Sequence, residues 1–164
     1  MRTMSSLALR NCQHQDLDQI LAIEQASFAD SAYSRADFVY LIESAKGGFI
    51  VAEGNDHLMG YVVALSEGGT GIIQSIAVSP DLRRKGIGSA LLKSAVDFLS
   101  ELERIWLLVD LNNEAAISLY HRFSFMETGR IIKRYYRNGA DAIEMVRKRA
   151  TLGGSTFSKG VHQP

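Results

Sequence analysis

A single cysteine, Cys12, stands in the 164 residues. No disulfide can form within the chain, and a reducing, cytoplasmic setting is expected. Net charge is missing too, since 18 Lys+Arg balance 18 Asp+Glu. General affinity for nucleic acid is therefore not expected, and any anion site has to be local. The first ten residues, MRTMSSLALR, lack the apolar core of a signal peptide. No apolar run approaches the roughly 18–20 residues of a membrane span, so no membrane partner is expected. His14, His57, His121 and His162 show no ligand spacing, and no metal site is indicated. What is present is ordinary for a globular domain: 46% of residues are apolar and 22% charged.

The periodicities mix helices with strands. SLALR alternates and reads as a short first strand. From Asp16 to Phe28, the residues Leu17, Ile20, Leu21 and Ile23 form a helical stripe. Ser34 followed by Asp37 opens a second helix with Phe38, Leu41 and Ile42 inside. GFIVAE, LMGYVVAL and IIQSIAV are three strands separated by the turn-forming GNDH and SEGGTG, which predicts an antiparallel meander. Ile87, Leu91, Ala95, Phe98 and Leu102 mark a helix of about four turns, and RIWLLV is a strand ending at Asp110. Ala116, Leu119, Tyr120 and Phe123 mark another amphipathic helix. GRIIKRYY and DAIEMV read as a closing hairpin around RNGA. The order predicts one α/β domain over residues 1–149, with a Gly/Ser-rich tail over residues 150–164.

The stretch DLRRKGIGSALL, Asp81 to Leu92, sets three consecutive cations and two glycines at the mouth of a helix. A P-loop requires a lysine after its second glycine, but Lys85 precedes Gly86. A dinucleotide fingerprint requires a third glycine where Leu91 stands. What remains is a strand, a turn and a helix start whose free N–H groups and positive dipole end suit a pyrophosphate. Gly86 and Gly88 bare the backbone, and Arg83, Arg84 and Lys85 add charge at the rim. Cations oppose the dipole at that end, which points to an anionic ligand.

These residues resemble motif A, R-x-x-G-x-G after a strand, of the GNAT superfamily of N-acetyltransferases. NNEAAISLYHRFSF resembles that family's second cofactor element. RYYRNGADAIEM and AIEQASFADSAYSRADF are similar to the closing hairpin and the substrate-side loop of the ribosomal-protein alanine N-acetyltransferase (RimI-like) branch. The resemblance implies a single-domain GNAT fold: a mixed, mostly antiparallel sheet of about seven strands with about four helices. It implies acetyl-CoA as acetyl donor, with direct transfer to an amine in a ternary complex. Backbone groups of Ile76, Ala77 and Val78 would meet the pantetheine arm and thioester. Arg83, Arg84 and Lys85, with Gly86, Ile87, Gly88 and Ser89, would hold the pyrophosphate. Asn113 is either an N-cap or a pantetheine contact, and Tyr120 would protonate the leaving thiolate. Phe28 and Tyr33 on one side, and Tyr135 and Tyr136 on the other, would flank the acceptor. Alternation along a regular strand would point those last two tyrosines to opposite faces.

Three positions depart from the family pattern. Leu108 stands where the branch commonly carries a glutamate base, Ser124 where glycine is usual, and Ala29 where proline is usual. Asp110, two residues beyond Leu108, is one substitute base and a water chain another; an Asp past a strand end also simply opens a loop. A missing base favours weakly basic amines, because an α-amino group of pKa about 7.7–8.0 is already roughly a tenth free near pH 7. The expected acceptor is a protein or peptide N-terminus, with a small-molecule amine next. A non-catalytic acyl-CoA-binding module and a domain for another phosphorylated ligand are the competing classes. A monomer or homodimer is expected.

Overall fold

The structure, a computed structural model, describes residues 6–150. The expected tail therefore lies outside the described residues beyond Ala150. In chain order come β1 (Ala8–Asn11), α1 (Leu17–Phe28), α2 (Arg35–Ala45), β2 (Phe49–Gly54), β3 (His57–Glu67) and β4 (Thr70–Val78). Then follow α3 (Ile87–Phe98), β5 (Arg104–Asp110), α4 (Glu114–Arg122), β6 (Met126–Ile132) and β7 (Ala142–Lys148). The strands form one seven-stranded sheet in the order β1-β2-β3-β4-β5-β7-β6. Only β4 and β5 run parallel; every other pair is antiparallel. The mixed, mostly antiparallel sheet with four α-helices is the expected architecture. No helix among the described residues is long and apolar enough to cross a membrane.

Helices cover both faces because the strands of the meander are apolar on both sides. On one face α1 and α2 bring Leu17, Ile20, Phe38 and Leu41 onto Phe49, Val51, Tyr61 and Val63. On the other, α3 brings Ile87, Leu91, Leu92 and Ala95 onto Val62, Ile73, Ile105 and Leu107. Burying each large aliphatic side chain contributes about 1.5–3 kcal/mol. Ser34 starts α2 as expected: its hydroxyl accepts from the Asp37 amide at 3.2 Å, and the Asp37 carboxylate accepts from the Ser34 amide at 2.8 Å. Such a cap is worth about 1 kcal/mol.

Two predicted boundaries move. The helix expected to reach Leu102 ends at Phe98, because the Leu99 amide closes it on the Ala95 carbonyl. Leu102 keeps the apolar spacing because the following turn folds it back onto β4 at Gly71. The closing hairpin shifts further. β6 begins earlier, at Met126, and bulges where Glu127↔Met145 pairing jumps to Ile131↔Ile143. It ends at Ile132 because the Asp141 carboxylate takes the Lys133 ammonium and the Arg134 amide, at 3.0 and 2.9 Å. Tyr135 and Tyr136 therefore sit in the connecting loop, not in the strand, and strand alternation does not govern them. A turn in which the Tyr136 amide donates to the Ala140 carbonyl, at 3.1 Å, holds them in place.

Candidate active site

The parallel pair makes the site by failing to continue. β4 and β5 pair only at Gly71↔Ile105 and Ile72↔Trp106, and beyond these residues they part. The Ser79 amide donates to the Met59 carbonyl at 2.8 Å, so the end of β4 turns its odd-numbered backbone groups toward β3. By alternation Ile76 and Val78 turn theirs into the gap. Arg83 Nε indeed reaches the Val78 carbonyl there, at 3.2 Å. Ala77 sends its side chain into the core under α1 and α2.

The cradle follows at the end of β4. Gly86 caps α3 with φ +84°, in the left-handed region where a side chain is strained, and no side chain caps the helix. The first helical bond runs from the Ala90 amide to the Gly86 carbonyl, leaving the Ile87, Gly88 and Ser89 amides free for an anion. No acidic residue occupies the first turn. A Cβ on Gly88 would lie 3.6 Å from Leu119 and 3.7 Å from Val78, ordinary contacts, so packing does not demand a glycine there. What Gly88 keeps clear is the approach to its own backbone, which fits a pyrophosphate. Arg84 and Lys85 are exposed beside it. Arg83 differs from its neighbours: its guanidinium also reaches Ser27 Oγ, at 3.2 Å, and ties the cradle loop to α1.

The gap opens into a cleft of about 430 Å³. Ile76, Leu108, Asp110, Asn113 and Tyr120 line it on the cofactor side, and Phe28, Tyr33, Tyr135 and Tyr136 on the other. Of the sequence-derived residues, Ile76, Asp110, Asn113 and Tyr120 thus share one cavity with the four acceptor-side aromatics, whereas Ala77, Val78 and residues 83–89 do not line it. Tyr120 is buried, edge-on to Phe125 at 5.8 Å. Burial, and to a lesser degree Tyr136, pushes its phenol well above the usual value of about 10, so the proton stays on oxygen. Burial likewise raises Tyr136, whose ring stands perpendicular to that of Tyr135 at 5.0 Å. Asn113 is the N-cap of α4, accepting from the Ala116 amide at 3.1 Å, while it also lines the cleft. Asp110 spends an oxygen on the Asn112 amide at 2.8 Å, and its carbonyl takes the Asn113 amide at 2.9 Å. That is loop-opening chemistry.

The carboxylate that sequence reasoning missed is Glu24. It is 2% exposed yet lines the cleft. Its Oε1 accepts from the Tyr33 amide at 2.9 Å and its Oε2 from the Tyr61 hydroxyl. Tyr61 in turn meets Ser75 Oγ at 2.9 Å. Burial raises the Glu24 pKa above the ordinary carboxyl range, against the pull of the two donors. A signal was there to find. Glu24 falls three residues after Leu21 and seven after Leu17, so the charge sits on the inward face of α1. Ser31 Oγ, in the loop after α1, is buried without a partner and also lines the cleft.

Comparison with known proteins agrees with this geometry. Residues 16–125 match the model of the Acetyltransferase (GNAT) family. An N-alpha-acetyltransferase of Sulfurisphaera tokodaii is 32% identical over 152 residues, 84% of this chain and 90% of the relative. A putative [ribosomal protein bS18]-alanine N-acetyltransferase of Bacillus subtilis is 34% identical over 142 residues, 84% of this chain and 93% of the relative. The crystal structure of the ribosomal-protein-S18-alanine N-acetyltransferase from Escherichia coli superposes with a TM-score of 0.77 at 26% identity, covering 93% of this chain and 99% of that one. With the family match over two thirds of its length, and a buried tyrosine in the cleft where the sheet splits, the chain belongs to the acetyltransferase (GNAT) family.

Proposed function

We propose that this protein acetylates the α-amine of protein or peptide N-termini, using acetyl-CoA. The observation that carries the reading is that one cleft joins the Tyr120 phenol, the Glu24 carboxylate and a mouth of aromatic side chains. The named activities of the Sulfurisphaera and Bacillus relatives support the same acceptor. Acetyl-CoA supplies an acetyl group activated as a thioester. The chain's own groups do the rest. The Ile87, Gly88 and Ser89 amides hold the pyrophosphate, and the gap-facing backbone of Ile76 and Val78 meets the pantetheine arm. Glu24 takes the proton from the incoming ammonium, directly or through one water. Its raised pKa brings it nearer to that of the amine it serves. Tyr120 gives a proton to the departing thiolate and regains one from the acylated nitrogen as the intermediate collapses, so no buried phenolate is left. Leu108 lines the same cleft but cannot take part in proton transfer.

Mass spectrometry tests the acceptor. The protein is offered acetyl-CoA with free N-terminal peptides, N-blocked lysine peptides and small amines in one pool. Acetyl gain is expected on the free N-termini. Gain confined to small amines would replace the acceptor, and no transfer despite measured acetyl-CoA binding would leave a binding module.

A further inference from the structure

Residues Ile73 and Ser75 point to opposite faces of the sheet, which residues two apart in a regular strand do not do. Ile73 packs into the core under α3, whereas Ser75 bonds Tyr61 on the face covered by α1 and α2. The chain achieves this with an extra residue. Val63 pairs with Ser75 and Ala64 with Ile73, so Gln74 has no partner on β3 and forms a β-bulge. Bulges re-aim side chains, and this one sends Gln74 into the cleft. There its Nε2 donates to the Tyr33 hydroxyl at 2.9 Å, linking β4 to the loop between α1 and α2.

The link closes a circuit. Tyr33 also donates its amide to Glu24, Glu24 accepts from Tyr61, and Tyr61 meets Ser75, the neighbour of Gln74. The Tyr33 ring is braced edge-on by Phe38 at 5.8 Å. Gln74 and Tyr33 therefore form one latched wall, fixed at both ends, rather than two side chains free to move apart.

We propose that this Gln74–Tyr33 wall sets the acceptor's specificity by limiting the size of its first side chain. The inference rests on the N-terminal acceptor reading. An amine that gives its proton to Glu24 lies at the carboxylate that the Tyr33 amide itself holds. The first side chain, two bonds from that nitrogen, then lies at the same end of the cleft as the wall. A latched wall cannot retreat to admit a long side chain, so acceptors with small first residues are preferred over those beginning with methionine or leucine.

The test measures kcat/KM for two peptides that differ only in the first residue, Ala or Met, with the full chain. Gln74→Ala is expected to raise the Met/Ala ratio at least tenfold, the scale on which single methylenes are discriminated in such pockets. Tyr33→Phe keeps the ring but loses the hydroxyl that receives Gln74. It is expected to move the ratio the same way by a smaller factor, and it carries the test if Gln74→Ala does not fold. A ratio within twofold of the unaltered protein, in a variant that still acetylates the Ala peptide, overturns the proposal. A rise with Tyr33→Phe but none with Gln74→Ala overturns it as well, since the wall would then not need Gln74. If the unaltered protein acetylates neither peptide, the acceptor reading itself falls, and the proposal with it.

Discussion

Replacing Glu24 by Gln isolates its role in proton transfer from its role in the fold. Gln keeps the side-chain volume, and the surroundings can accommodate it. The amide oxygen can still accept from the Tyr33 amide, while the Tyr61 hydroxyl turns to accept from the new NH₂ and donates to Ser75 instead. Removing a buried charge also relieves its desolvation. Thermal stability is therefore expected to stay level or rise. Catalysis is not spared, because an amide cannot take a proton. General-base catalysis contributes about 10²–10⁴ in rate, so the expected loss is about 2.7–5.5 kcal/mol of transition-state stabilisation. The pH dependence gives the sharper test. In the unaltered protein activity rises with pH as Glu24 ionises, and burial places that rise above the ordinary carboxyl pKa of about 4.3. Without a group to take the ammonium proton, activity can rise only as the acceptor amine loses it unaided near 7.7–8.0. The Gln variant should therefore lose the Glu24 limb and follow the amine instead. The assay is kcat/KM against pH on an N-terminal peptide, with Asp110→Asn as the comparator and expected within a few fold of the unaltered protein. If Glu24→Gln retains a third or more of the activity, or keeps the lower limb in place, Glu24 is not the base. If Asp110→Asn shows the large loss instead, the base stands at the end of β5.

Tyr120→Phe should lower kcat by about 10²–10⁴ while acetyl-CoA affinity, read by calorimetry, stays the same; an unchanged kcat removes its role as acid. Gly88→Ala separates the fold from the cradle. The protein leaves ordinary contact distances around the new Cβ, so stability should hold or rise by about 0.5–1 kcal/mol. Acetyl-CoA affinity should fall, and an unaltered affinity would mean that the pyrophosphate does not approach the Gly88 backbone.

What could be read in advance here was set by local chemistry, and what could not was set by pairing. Ser34 with Asp37, and Asn113 ahead of Glu114, mark helix starts because a cap needs only its own next three residues. The helix mouth at Gly86 was legible for the same reason, as strand, turn and helix start are contiguous in the chain. Tyr120 and the aromatic mouth came from resemblance, and the cleft brings them together. Tyr135 and Tyr136 were misplaced because the end of β6 depends on where Asp141, on the returning strand, captures Lys133 and Arg134. Gln74 escaped notice for a related reason. In IIQSIAV it looks like one more alternating residue, and only the pairing of β4 with β3 shows that it is the extra one. Glu24 is the instructive miss. Its place on the inward stripe of α1 was visible, but its chemistry depends on Tyr61, 37 residues away, and on a cleft that exists only because β4 and β5 separate. The loss of glutamate at Leu108 therefore does not argue against catalysis in this chain. The same cleft holds a carboxylate contributed by the opposite wall, and the site is better described by what faces the cavity than by what stands in the strand.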